Sequence, residues 1–134
     1  MNQTGSRISP FITLCGTCEE AMRFYLGVFP GAKQLSLTLF PKDVRGEEGK
    51  VMTGELELMG QRILFMDMEE QYYPEQTWAI SLFTDCESEQ EFDALFAGLS
   101  AGGMVMMGPE PVNDLRKVAW VTDKFGVTWQ LIWE

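Results

Sequence analysis

Histidine is absent from all 134 residues. It is the commonest metal ligand and the usual general base near neutral pH, so most zinc sites, Ser-His triads and Cys-His dyads are excluded. Chemistry here falls to carboxylates, thiols, Tyr, Lys, Arg or backbone groups. Basic residues are scarce as well: ten Lys and Arg face twenty Asp and Glu, for a net charge of −10. Phosphate contacts need clustered Lys and Arg, which argues against nucleic acid and against an anionic membrane surface as partners. No apolar run approaches the roughly 20 residues that span a bilayer. The opening MNQTGSRISP lacks the basic-then-apolar layout of a secretory signal. Three cysteines make no disulfide framework, so a cytoplasmic setting is the expectation.

Two of those cysteines nevertheless stand as Cys15-Gly16-Thr17-Cys18, the spacing of a thiol oxidoreductase pair. Thiol redox chemistry is therefore one reading. The neighbouring residues favour another. Thr17-Cys18-Glu19-Glu20 has the form of a capping box that opens a helix. Cys18, Ala21, Met22, Tyr25, Val28 and Phe29 then recur at spacings of three and four, one apolar face, until Pro30-Gly31 ends it. Cys18 becomes a small hydrophobe at the start of that stripe. Cys86 reads as a strand-end or loop residue.

What remains is a pattern stated twice. Ile8–Leu14 reads as a strand leading into the first helix. Strand-like segments follow at Gln34–Phe40, Val51–Leu58 and Ile63–Met66, with Met59-Gly60-Gln61 a hairpin turn and Lys42–Gly49 a mobile loop. From Thr77 the order restarts: Trp78–Thr84 as a strand, then Ser88-Glu89-Gln90-Glu91 as a second capping box. The helix stripe Phe92, Leu95, Phe96 and Leu99 comes next, and strands near Met104–Met107, Val118–Thr122 and Thr128–Trp133 close the chain. Thr17, Glu20, Gly27 and Gly31 are matched by Ser88, Glu91, Gly98 and Gly102 at a constant offset of 71, and Gly60 by Gly126 at 66. The expectation is one α+β domain over 1–134, built from a βαβββ unit over 8–67 and another over 77–134. Each is too small to cover both faces of its own sheet.

A doubled βαβββ unit resembles the vicinal oxygen chelate superfamily, with its glyoxalase/bleomycin resistance/dioxygenase fold and cupped mixed β-sheet. Pro10-Phe11-Ile12, Glu19-Glu20-Ala21-Met22-Arg23-Phe24-Tyr25, Gly60-Gln61-Arg62 and Asp123 through Leu131 (DKFGVTWQL) are similar to its PhnB-like branch. That branch carries the label 3-demethylubiquinone-9 3-methyltransferase. In metal-using members, four strand positions point His, Glu or Gln at one divalent ion, a Lewis acid with open positions for substrate oxygens. By the resemblance these positions fall at Pro10, Leu64, Trp78 and Gln130. Sliding the first-strand register by one gives Ser9 or Phe11, and Thr77 or Ala79. About three protein ligands are needed, so the expectation is no metal and no cofactor.

The resemblance then implies a cup floored by apolar and aromatic groups, with Gln130, Trp78, Phe11, Leu64 and Trp120 as ligand-binding candidates, and Trp129 and Trp133 as further lining. The bound partner would be a small apolar or aromatic molecule, in a homodimer whose members pair units between chains. The alternative is an enzyme in the same cup, a lyase, isomerase or transferase, with Glu55 or Glu57 in acid–base roles. Burial of Glu55 would raise its pKa and suit that task. No Gly-rich turn after a strand resembles a nucleotide-type site for S-adenosylmethionine.

Overall fold

A computed structural model describes residues 5–42 and 47–134. The loop expected over Lys42–Gly49 therefore lies partly outside the described residues. The chain divides between Pro74 and Glu75 into two compact units.

In the first unit, β1 (Phe11–Leu14) leads to α1 (Cys18–Val28), then β2 (Lys33–Leu39), β3 (Val51–Leu58) and β4 (Gln61–Asp67). The strands lie in the order β1-β4-β3-β2, with β1 parallel to β4 and the other pairs antiparallel. Alternation along β3 buries Leu56 and Leu58 against the helix and turns Glu55 and Glu57 the other way. Cys18, Ala21, Met22 and Tyr25 are the buried stripe of α1, and Tyr25 stacks on Phe65 at 5.9 Å between ring centres. Close approach is possible because β3 has no side chain at Gly54, where a Cβ would stand 2.5 Å from Met22 Sδ. The β3–β4 turn is Met59-Gly60, both at positive φ, as a two-residue hairpin of this hand requires.

In the second unit, β5 (Leu82–Cys86), α2 (Glu89–Ser100), β6 (Met104–Val112), β7 (Leu115–Thr122) and β8 (Thr128–Trp133) repeat the plan, ordered β5-β8-β7-β6. Phe92, Leu95 and Leu99 are fully buried on α2. Each unit is thus a four-stranded mixed sheet with one helix on one face.

Two expectations need correction. The strand expected from Trp78 begins only at Leu82. Thr77 Oγ1 accepts the Ala79 N–H at 3.2 Å, making a turn that withholds Trp78 from any ladder. The other concerns the helix starts. Ser88 Oγ does accept the Glu91 N–H at 3.1 Å, whereas Thr17 makes no such bond. The Cys18 N–H instead donates to Asp67 Oδ1, 3.1 Å away at the end of β4. A full carboxylate is a stronger acceptor at a helix N-terminus than a hydroxyl, and it wins.

Candidate functional site

Strand register lines up one row of side chains across the helix-free face of each sheet. In the second unit Phe83 is the partner of Gln130, Gln130 of Trp120, and Trp120 of Met107, so four strands contribute one residue each. The Gln130 amide nitrogen donates to Ser81 Oγ at 2.8 Å, which fixes the amide across the row and leaves its oxygen as an acceptor. Trp78, carried by the turn before β5, stands edge-on to Trp120 with ring centres 6.1 Å apart and planes at 65°. Trp78 and Phe83 are 62% and 60% exposed, far more than large aromatics held in a core. Gln130, Trp78 and Trp120 are therefore brought together.

The first unit has the same row with different chemistry. Phe11 is the partner of Leu64, Leu64 of Glu55, and Glu55 of Ser36. Arg62 Nε donates to Glu55 Oε2 at 2.9 Å. This bond and its charge hold the Glu55 carboxyl below the usual carboxylate range, outweighing desolvation. The upward shift expected from burial is absent because the carboxylate is paired. Glu57, on the same face, lies 3.9 Å from Lys33 Nζ.

Trp129 and Trp133 belong elsewhere. Trp129 alternates with Gln130, is buried, and donates its indole N–H to Asp123 Oδ2 at 2.9 Å. Trp133 has the Arg116 guanidinium 4.5 Å above its ring centre. Phe83 was missed by sequence reasoning. Carrying the 71-residue offset back along the first strand lands beside Phe83 rather than at Trp78, so the repeat itself held the signal.

The thiols do not form a reactive pair. Cys18 is fully buried, and desolvation together with the Asp67 carboxylate pushes its pKa far up. Burial and the nearby Glu91 push Cys86 up to about 11. A nucleophilic thiol needs the opposite shift.

Among the described residues no group of three or more His, Cys, Asp or Glu is placed to hold a metal ion. In the first unit Phe11 on β1 and Leu64 on β4 offer no ligating atom; in the second, Phe83 on β5 offers none and Gln130 on β8 is a neutral amide. No helix among the described residues is long and apolar enough to cross a membrane.

The family model described as 3-demethylubiquinone-9 3-methyltransferase matches residues 6–132. The solved structure of a PhnB protein from Bacillus cereus superposes with a TM-score of 0.89 at 32% identity, over 96% of this chain and 100% of that one. Protein YjdN of Escherichia coli (strain K12) is 24% identical over 140 residues, 92% of either chain. The fosfomycin resistance protein FosX from Listeria monocytogenes shares the fold, with a TM-score of 0.66 at 12% identity, over 96% of this chain and 90% of that one.

Proposed function

Because this chain belongs to the 3-demethylubiquinone-9 3-methyltransferase family, the PhnB-like branch of the vicinal oxygen chelate superfamily, we propose that it binds a small molecule with an apolar or aromatic body, without a metal ion. The observation that carries this reading is the grouping of Trp78, Trp120 and Phe83 around a Gln130 amide oriented by Ser81. Binding sites commonly combine apolar and aromatic walls with one or two fixed polar groups, and this grouping has that composition. The metal-free part of the proposal rests on donor chemistry within each unit: Phe11 and Leu64 offer no ligating atom in the first row, and in the second Phe83 offers none and Gln130 one neutral amide, against the roughly three ligands a catalytic divalent ion needs.

The enzymatic alternative draws less support. A general base works best with a pKa near the working pH, and the Arg62 pair moves Glu55 away from that range. Methyl transfer, named in the family's description, has no S-adenosylmethionine site to support it in the residues read above.

We propose a homodimer on physical grounds. β1, β2 and β5 stand at sheet edges, where a second chain can add a strand, and Ile8 before β1 and Phe11 at its start are 86% and 53% exposed. Light scattering is expected to give twice the 15.2 kDa of one chain. A single-chain mass ends the dimer proposal.

The binding reading is tested by a thermal-shift screen of aromatic and aliphatic compounds. Hits are expected to lose their stabilisation in Trp120→Ala and in Gln130→Leu. Hits that stabilise both variants as well as the parent chain would falsify the site.

A further inference from the structure

We infer that the ligand taken by the second unit's aromatic corner is an organic cation, a protonated amine or quaternary ammonium on an apolar body. This rests on the binding reading above and narrows it. Indole faces carry negative potential and attract ammonium groups, and groups of aromatic rings are the usual recognition site for quaternary ammonium. Trp78 and Trp120 meet edge to face, 6.1 Å between ring centres with planes at 65°, and Trp78 is 62% exposed. Phe83 lies in the same row as Trp120, one strand beyond Gln130.

Three further features favour positive charge. Residues 75–134 hold ten Asp and Glu against three Lys and Arg, a net −7, whereas residues 1–74 hold ten against seven, a net −3. On β5, Asp85 follows Phe83 by two residues, so strand alternation turns it to the same face. All three basic side chains of the unit are engaged elsewhere. Arg116 covers Trp133, Lys117 pairs with Glu89 at 2.9 Å and Asp93 at 2.8 Å, and Lys124 Nζ lies 5.4 Å from the Phe125 ring centre. The row thus combines two indoles, an Asp85 carboxylate on the same face and a Gln130 carbonyl oxygen able to accept a hydrogen bond, while the three basic side chains make the contacts just named.

The test compares choline with its neutral isostere 3,3-dimethyl-1-butanol on the full chain, following the indole N–H signals of the four tryptophans. Choline is expected to move the Trp78 and Trp120 signals and to spare Trp129, which Asp123 holds in the interior. Its affinity should exceed that of the neutral probe by about two- to fivefold, the usual worth of a cation over an exposed ring. Trp78→Leu should remove most of that preference. Trp78 is 62% exposed, so the variant should fold, and an unchanged Trp129 signal verifies it. Equal or tighter binding of the neutral probe, lost in Trp78→Leu, overturns the inference and leaves the binding reading standing. Perturbation of neither Trp78 nor Trp120 by either probe at tens of millimolar overturns the inference and counts against the aromatic site as well.

Discussion

Across the helix-free face of the first unit the row runs Phe11, Leu64, Glu55 and Ser36; at the same four places in the second it runs Phe83, Gln130, Trp120 and Met107. One row contains a carboxylate neutralised by its own Arg62. The other contains an amide and two aromatic rings with a third ring against them. Register fixes where a side chain stands, and because only the opposite face must pack on a helix, chemistry on this face is free to diverge between repeats. Their buried carboxylates diverge too. Asp67 ties α1 to β3, accepting from Cys18 N at 3.1 Å and Val51 N at 2.9 Å. Asp123 instead organises the β7–β8 turn, accepting from Phe125 N, Val127 N and the Trp129 indole.

The sharpest way to probe that contrast is Asp67→Ala against Asp123→Ala. Each strips the acceptor from two or more buried or part-buried N–H groups, so each should cost roughly 2–5 kcal/mol in urea unfolding. Hydrogen exchange should separate them, with early loss at the start of α1 in the first variant and at the β7–β8 turn in the second. The same early loss in both would break the contrast.

A smaller effect comes from the thiols. A pKa raised from 9.0 to about 11 means that folded Cys86 keeps its proton where the unfolded thiol loses it. Its stabilising share is therefore complete below pH 9 and lost as pH rises through 9 to 11, by about 1.4 kcal/mol per pH unit. Urea midpoints of the parent chain should fall over that window, and Cys86→Ala should remove part of the fall, the buried Cys18 thiol keeping its own share. An unchanged slope would mean the thiol is exposed.

The smallest comparison is at the helix starts. Ser88→Ala should cost about 1 kcal/mol, because Ser88 Oγ holds the Glu91 N–H. Thr17→Ala should stay within about 0.5 kcal/mol, since Thr17 makes no capping bond. Equal losses would restore the capping box to the first helix.

The repeat, both helices and the limits of β3 and β8 were legible in the sequence, because apolar periodicity and turn residues act over a few positions. Gln130 and Trp120, both named from the sequence, are register partners on one face of the second sheet. The cap on α1 was not. Thr17 is local and looks sufficient, while the acceptor that takes its place is 49 residues away. Trp78 was read into a strand because Trp-Ala-Ile-Ser-Leu-Phe alternates well enough; a single Thr77 hydroxyl diverts it. The ion pair of Glu55 is not legible in the sequence, because only antiparallel pairing of β3 and β4 brings Arg62 within reach.

β6 closes one side of the second sheet, and its register slips at Val105/Met107, Met107/Glu110 and Glu110/Val112. Pro109 and Pro111, both within the strand, have no N–H to donate. A stray strand arriving at that border meets an interrupted row of donors and acceptors and cannot zip along it. A chain so rich in β-structure is thereby spared one route to fibrils in crowded solution, and an engineer who straightened that border with Val or Ile would reopen it.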